Sequence, residues 1–190
     1  MSKRTGEFIT MREVIDEVGA DAAKFYFLMR DSKTHLEFDL ELAKQRSADN
    51  PVYYVQYAHA RICSLWRVAS ERGVTRPLAL GTDLTVLTDP DELGLIKKLS
   101  AYPEMIQASA LAFEPHRVTY YLQQLAAQLH TFYNKHRVLP PATDQEHGES
   151  ASAEVLTPKR TAARLVLMGA VQHVLRNGLN VLGISAPEHM

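Results

Sequence analysis

The chain has 190 residues, 46% hydrophobic and 23% charged, with a formal net charge of −1 and an isoelectric point near 6.7. These values exclude a disordered chain. They also exclude nucleic-acid binding by bulk electrostatics, so any such contact has to be local. The single cysteine, Cys63, excludes an intrachain disulfide framework. Because no apolar run approaches a membrane span or a signal-peptide core, we expect a cytoplasmic protein without membrane contact.

The first elements along the chain are predicted to be short. Residues 1–8 are polar and predict a loop. Thr10 and Glu13 have the spacing of a capping box, in which each side chain accepts a hydrogen bond from the other residue's amide. This pair predicts a helix over 11–18 that ends at Gly19.

Aspartate and proline signals mark the later helices. Asp21 is predicted to cap a second helix that reaches Met29. Proline follows Asn50 and Asp89, and this pair of an N-cap residue and a first-turn proline is typical of a helix start. The remaining predictions, in chain order, are an irregular stretch over 31–38, a short helix over 39–47, a helix over 51–72, a connection over 74–88, helices over 90–101, 103–112 and 115–137, a loop over 139–157, and a helix from 158 that the glycine at 183 ends.

These elements predict an all-α fold. No segment alternates like a strand, and no repeat of fixed period is present. We expect a helical bundle of three long helices and several short ones over 48–190, preceded by a small helical connector within 1–47. A fold of this kind does not by itself define a function.

The helix that begins at Pro51 has two stripes of different chemistry. At roughly 100° per residue, one apolar stripe predicts the core face, with the members Val55, Ala58, Ile62, Leu65 and Ala69. Tyr54, Tyr57 and Arg61 form a second stripe roughly 90° away. Two tyrosines and an arginine can form a platform on which unstacked bases lie while the cation holds phosphate. The alternative is that the tyrosines pack at the boundary of the core with their hydroxyl groups outward.

Tyr133 has a similar position near the end of the helix over 115–137. Phe132 continues the apolar stripe of Leu122, Leu125 and Leu129 and is predicted to be core, which leaves Tyr133 at the edge of that stripe. Basic side chains follow Tyr133 directly, at Lys135, His136 and Arg137. The eight histidines show no spacing typical of metal ligands, and we expect no metal site in this chain.

The first residues, M-S-K-R, resemble the K-M-S-K-S loop of class I aminoacyl-tRNA synthetases. The resemblance implies that Lys3 is the signature lysine, which stabilises the charge developing on ATP phosphates, and that Ser2 belongs to the same nucleotide-binding loop. The alternative for these residues is an ordinary charged N-terminal tail.

Longer blocks extend the resemblance over essentially the whole chain. They are R-E-V-I-D-E-V-G-A-D-A-A-K-F-Y-F-L-M-R, H-L-E-F-D-L-E-L-A-K and N-P-V-Y-Y-V-Q-Y-A-H-A-R-I. All three resemble the stretch that follows the signature loop in bacterial arginyl-tRNA synthetases. Their anticodon-binding module is named after a D-A-L-R signature, from which D-A-A-K at 21–24 departs at two positions.

The resemblance implies a function and a set of site residues. The chain would be the C-terminal portion of an arginine–tRNA ligase, comprising the signature loop, the connector and an all-helical anticodon-binding domain. Anticodon contacts would come from Tyr54, Tyr57, Arg61, Tyr133 and Met190. The expected partner is tRNA(Arg), and the parent enzyme would be a monomer that uses ATP and Mg²⁺.

The same resemblance implies what the chain does not do alone. Arginine and ATP would be bound only through a catalytic domain, so we expect this chain to bind no cofactor and to be inactive alone. Two alternatives remain at this point. One is the anticodon-binding domain of another class I synthetase such as the cysteinyl enzyme, and the other is a helical module for protein–protein contact.

Overall fold

The computed structural model describes residues 10–31, 33–34, 37–140 and 156–190. Within these residues the regular secondary structure is entirely helical, which confirms the predicted all-α fold. The eight helices in these ranges are α1 (Met11–Val18), α2 (Ala20–Leu28), α3 (Leu40–Lys44), α4 (Pro51–Glu71), α5 (Pro90–Ser100), α6 (Tyr102–Ala112), α7 (His116–Lys135) and α8 (Pro158–Val181). None of these helices is both long and apolar enough to cross a membrane.

The three long helices α4, α7 and α8 pack against one another and enclose the core. The predicted apolar stripe of α4 is buried throughout, as is Phe132 on α7. Helices α5 and α6 pack on α7, while α1, α2 and α3 contact one another and α2 joins them to α4. The predicted arrangement of three long helices with shorter ones around them is therefore confirmed.

Local capping determines where the helices of the first half begin. The Thr10 hydroxyl accepts from the Glu13 amide at 3.2 Å and the Glu13 carboxylate accepts from the Thr10 amide at 2.6 Å, which confirms the predicted capping box. The Asn50 side chain accepts from the Val52 amide and thus caps α4. It also donates to the Gln45 carbonyl at 2.7 Å, so one buried side chain fixes the turn between α3 and α4.

The predicted cap at Asp21 is wrong. Helix α2 begins at Ala20, and its N-cap is Gly19, which has a positive φ of 85°. Asp21 lies in the first turn of α2, and its carboxylate accepts hydrogen bonds from the Ser185 amide at 3.2 Å and from Gln56 at 3.0 Å. The Asp21 carboxylate, which we predicted to be a local helix cap, is therefore bound by Ser185, 164 residues further along the chain.

The segment after α8, residues 183–187, is fastened across α2 and α4, and we name it the C-terminal strap. Lys24 donates to the carbonyl of residue 183 at 2.7 Å, Gln56 to that of residue 185 at 3.0 Å, and His59 to that of residue 187 at 2.9 Å. Together with the Asp21 carboxylate, these side chains supply partners for backbone groups of the non-helical segment that follows α8. The strap therefore joins the connector helices to the bundle.

A buried ion cluster links α5 to α8. Glu92 and Arg164 are both fully buried, and Arg164 Nε donates to Glu92 Oε1 at 2.7 Å. Arg160 Nη2 donates to the other carboxylate oxygen at 3.2 Å. Burial alone would raise the pKa of Glu92, but hydrogen bonds from the Asp89 amide and both arginines outweigh it and hold that pKa below its usual value. Arg164 also donates to the Arg137 carbonyl at 2.7 Å, which fixes the chain directly after α7.

Candidate nucleic-acid interface

A groove of about 430 Å³ opens between the start of α4 and the second half of α7, and we name it the tyrosine groove. Tyr54, Tyr57 and Arg61 reach it from α4, because positions i, i+3 and i+7 lie on one side of a helix. The side chains that line it most prominently are Arg46, Tyr53, Tyr54, Tyr57, Arg61, His130 and Asn134.

The aromatic rings of the tyrosine groove form a continuous row. The imidazole of His130 lies 4.7 Å from the Tyr54 ring and 5.6 Å from the Tyr57 ring, measured between centroids. Tyr57 in turn stacks on Tyr53 at 6.2 Å with the two planes only 5° apart. Tyr57 is 41% exposed, so part of the ring at the centre of this row is accessible from solvent.

A second depression, of about 400 Å³, adjoins the first, and we name it the arginine pocket. Its polar lining consists of Arg61, Ser64, Arg72, Tyr133, His136 and Arg137, and its apolar lining of Leu65, Val68, Val138 and Leu139. The Arg61 guanidinium lies over the Tyr133 ring, 4.3 Å from its centroid. Arg61 Nη1 also donates to His130 Nδ1 at 3.4 Å. Arg61 therefore forms the boundary between the tyrosine groove and the arginine pocket.

The predicted site residues are distributed over three adjoining depressions. Tyr54 and Tyr57 line the tyrosine groove, Tyr133 lines the arginine pocket, and Arg61 lines both. Met190, half exposed, lies instead in a groove of about 590 Å³ between the connector helices and α4. Tyr53 lines that groove as well as the tyrosine groove and is the link between them.

Two groove residues, Tyr53 and His130, were missed by the sequence analysis. Tyr53 lies beside the stripe chosen on the helical wheel and contacts Tyr57, four residues later. His130 is three residues before Tyr133 on α7, and that spacing was the available signal that both face α4. The packing of α7 against α4 brings His130 into contact with the tyrosines of α4.

At this surface, the surroundings of three side chains shift their pKa values toward the neutral form. Burial lowers the pKa of His130, and the nearby Arg61 lowers it further. Burial raises the pKa of Tyr54 and also that of Tyr133, although Arg61 opposes the second shift. These side chains therefore present uncharged ring faces at neutral pH, and the positive charge of the surface comes from its arginines.

Other candidate chemistry in the described part of the chain has structural explanations. Asp89, Asp91 and His136 lie close enough to share an ion, but Asp89 caps α5 and Asp91 pairs with Lys135 at 3.0 Å. The pKa of Asp91 is lowered by Lys135 and by His136. Burial raises the pKa of the Cys63 thiol, which is the opposite of what an activated nucleophile requires. Ser2 and Lys3, the predicted nucleotide-binding residues, lie outside the described residues.

An all-helical bundle that presents aromatic rings beside arginines has the side chains that binding of single-stranded RNA requires. Residues 55–190 match the family described as the DALR anticodon binding domain. The chain belongs to this family.

Relatives and solved structures agree with this assignment. The arginine–tRNA ligase of Geobacter sp. strain M21 is 55% identical over 190 residues, which are 100% of this chain and 32% of the relative. A crystal structure from Campylobacter jejuni superposes with a TM-score of 0.78 at 29% identity, over 100% of this chain and 37% of that one. Thermus thermophilus arginyl-tRNA synthetase superposes with a TM-score of 0.68 at 28% identity, over 99% of this chain and 29% of that one. The chain thus spans about a third of the length of the curated relatives it matches.

Proposed function

We propose that this chain binds the anticodon loop of tRNA(Arg) as the anticodon-binding part of an arginine–tRNA ligase. The observation that carries the proposal is the tyrosine groove, which is lined both by the partly exposed Tyr57 ring and by the Arg61 cation. The family match and the named relatives supply the enzyme to which such a groove would belong.

The groove would bind bases that the anticodon loop has unstacked. Each base that stacks on an aromatic ring contributes about 1–3 kcal/mol to binding, and the row of Tyr53, Tyr57 and His130 offers such rings. Because arginine codons of both families require C at the middle anticodon position, one base is common to every isoacceptor. Asn134 lines the groove and carries an amide that can both donate to and accept from the edge of that base.

The remaining expectations from the sequence complete the proposal. Ser2 and Lys3 would contact ATP phosphates, and arginine, ATP and Mg²⁺ would be bound together with the rest of the enzyme, a cytoplasmic monomer. The first 47 residues would serve as signature loop and connector, and Met190 would reach the anticodon from the groove that it shares with Tyr53. The chain alone would not catalyse arginine-dependent exchange of pyrophosphate into ATP.

The experiment is a binding titration of the 190-residue chain with two transcripts. One transcript is tRNA(Arg) and the other differs only at the middle anticodon base, changed from C to G. We expect the unchanged transcript to bind more tightly. Tyr57→Ala should weaken binding of that transcript by roughly ten- to a hundredfold, which is the loss of about one stacked base.

Tyr120→Ala is the matched control, because Tyr120 is a similarly exposed tyrosine on α7 that lies outside the groove. We expect it to bind like the unsubstituted chain. Equal binding of the two transcripts, or equal effects of both tyrosine substitutions, would contradict the proposal and favour a module for protein–protein contact.

A further inference from the structure

The arginine pocket concentrates positive charge in a chain whose net charge is −1. Three arginines, at 61, 72 and 137, line it together with His136, and no carboxylate is among those of its lining residues that the structure describes. Asp89 and Asp91 do not line the pocket but contact His136 at 3.3 and 3.1 Å. Asp91 is further paired with Lys135. Within the described part of the chain, the pocket lining therefore presents guanidinium groups without a carboxylate beside them.

Two of these three cations, Arg61 and Arg72, have side-chain contacts that hold them in place. Arg61 is stacked on the Tyr133 ring at 4.3 Å, and Arg72 Nη1 donates to the Pro140 carbonyl at 2.7 Å. The Arg137 main chain is fixed by Arg164, while the Arg137 side chain is exposed. Arg61 and Arg72 lie on one side of α4, about three helical turns or 16 Å apart.

We infer that the arginine pocket is a separate subsite for the sugar–phosphate backbone of the RNA strand that continues from the tyrosine groove. The inference rests on the proposed function and adds a second, sequence-independent contact to it. Guanidinium groups suit phosphate because their planar donors can bind two of its oxygens at once. Arg61 lines both depressions, so a strand whose bases occupy the groove has its next phosphates beside Arg72 and Arg137.

An acidic peptide would use the same chemistry, but the continuity with the aromatic row favours RNA. Phosphate contacts also carry no sequence information, because every nucleotide presents the same phosphate. The subsite is therefore expected to raise affinity for the correct and the altered anticodon by the same factor.

The test is the salt dependence of binding to the anticodon stem-loop RNA of tRNA(Arg), measured for the 190-residue chain from 50 to 200 mM salt. Each lost phosphate contact on single-stranded RNA should reduce the slope of log K against log salt by about 0.7. Arg137→Gln and Arg72→Gln should each show this loss. Their affinity deficit at 50 mM should exceed that at 200 mM by roughly threefold. Tyr57→Ala should weaken binding while leaving the slope unchanged.

Arg67→Gln is the matched control, because Arg67 is exposed on the same helix but does not line the pocket. Arg137→Lys keeps the charge, so its slope should match that of the unsubstituted chain. An unchanged slope for both glutamine variants, or an equal loss for Arg67→Gln, overturns the subsite while the groove proposal stands. If the unsubstituted chain does not bind the stem-loop, the proposed function itself fails.

Discussion

Arg61 contacts an aromatic side chain on either side of it, and this position explains much of the surface chemistry. Its guanidinium covers the Tyr133 ring and donates to His130, whose imidazole in turn lies against Tyr54 and Tyr57. A protonated His130 would place a second positive charge beside Arg61 in a partly buried site. The structure therefore favours the neutral imidazole with Nδ1 as the acceptor.

His130 should make stability depend on pH. Its pKa in the folded state is lower than the ordinary value of 6.5. The unfolded chain therefore binds the proton more readily, and stability is lost as pH falls from about 6.5 through the lower folded-state pKa. We expect an NMR titration to place the His130 pKa below 6.5, and His130→Gln to lose less stability over that pH range than the unsubstituted chain. A measured His130 pKa at or above 6.5 would contradict this account.

Close approach of α7 and α8 depends on a glycine. A β-carbon added at Gly178 would lie 2.7 Å from Leu122 Cδ2 and 3.2 Å from its Cγ, and Leu122 is fully buried. The helices must therefore separate, or Leu122 must leave its position, if any side chain is introduced there.

Two glycine substitutions of opposite sign test this packing. Gly178→Ala should reduce the free energy of unfolding by about 1–3 kcal/mol through overpacking. Gly94 lies within α5 with nothing within 4 Å of an added β-carbon, so Gly94→Ala should increase stability by about 0.4–1 kcal/mol. Urea unfolding of both variants measures the difference. If the Gly178→Ala variant were as stable as the Gly94→Ala variant, the interface between α7 and α8 would have room for an added methyl group, which would contradict this account.

The Glu92 cluster joins α5, α8 and the chain that follows α7, and it should be costly to disrupt. Glu92→Gln removes the carboxylate that Arg164 and Arg160 both contact, and loss of one partner of a buried ion pair costs about 3–5 kcal/mol. Asp91→Asn removes a partly exposed carboxylate of the same helix and should cost about 1 kcal/mol or less. Urea unfolding measures the loss of unfolding free energy in each variant. Equal losses in the two variants would contradict the special role of the Glu92 cluster.

At the scale of the whole molecule, the features that could be predicted from the sequence are those formed by residues close together along the chain. The Thr10–Glu13 box and the Asn50–Pro51 start involve residues at most a few positions apart, and the structure confirms both. Asp21 has the same local appearance, but its partners are at 56 and 185. Its role could not be predicted without the fold.

The candidate site could likewise be predicted from the sequence only where it depends on residues of one helix. The side of α4 that carries Tyr54, Tyr57 and Arg61 follows from helical periodicity alone. The division into a groove and a pocket depends on where α7 crosses α4 and on how residues 136–140 run after α7. His130 joins the surface only through that crossing, and Arg72 is held through its contact with Pro140, so neither could be selected from helical periodicity.

The junction between the connector and the bundle gives a prediction at this scale. Asp21→Ala removes the acceptor for the Ser185 amide, and a hydrogen bond to a charged group contributes about 1.5–3 kcal/mol. We expect amide exchange at Ser185 to become roughly ten- to a hundredfold faster, while exchange in the middle of α4 changes little. Asp16→Ala, which removes an exposed partner of Arg12 on α1, should leave Ser185 exchange unchanged. Equal exchange at Ser185 in both variants would show that the strap is held without Asp21.

The C-terminal strap also determines the order in which the chain matures during translation. Asp21 and Ser185 are 164 residues apart. A ribosome adding about 5–20 residues per second therefore takes roughly 8–33 s to deliver the second after the first. Throughout that interval, the side chains of α2 and α4 that bind the strap lack their partners, which are backbone groups of residues 183–187. The contacts between the connector and the strap are consequently completed only after α8 has been synthesised.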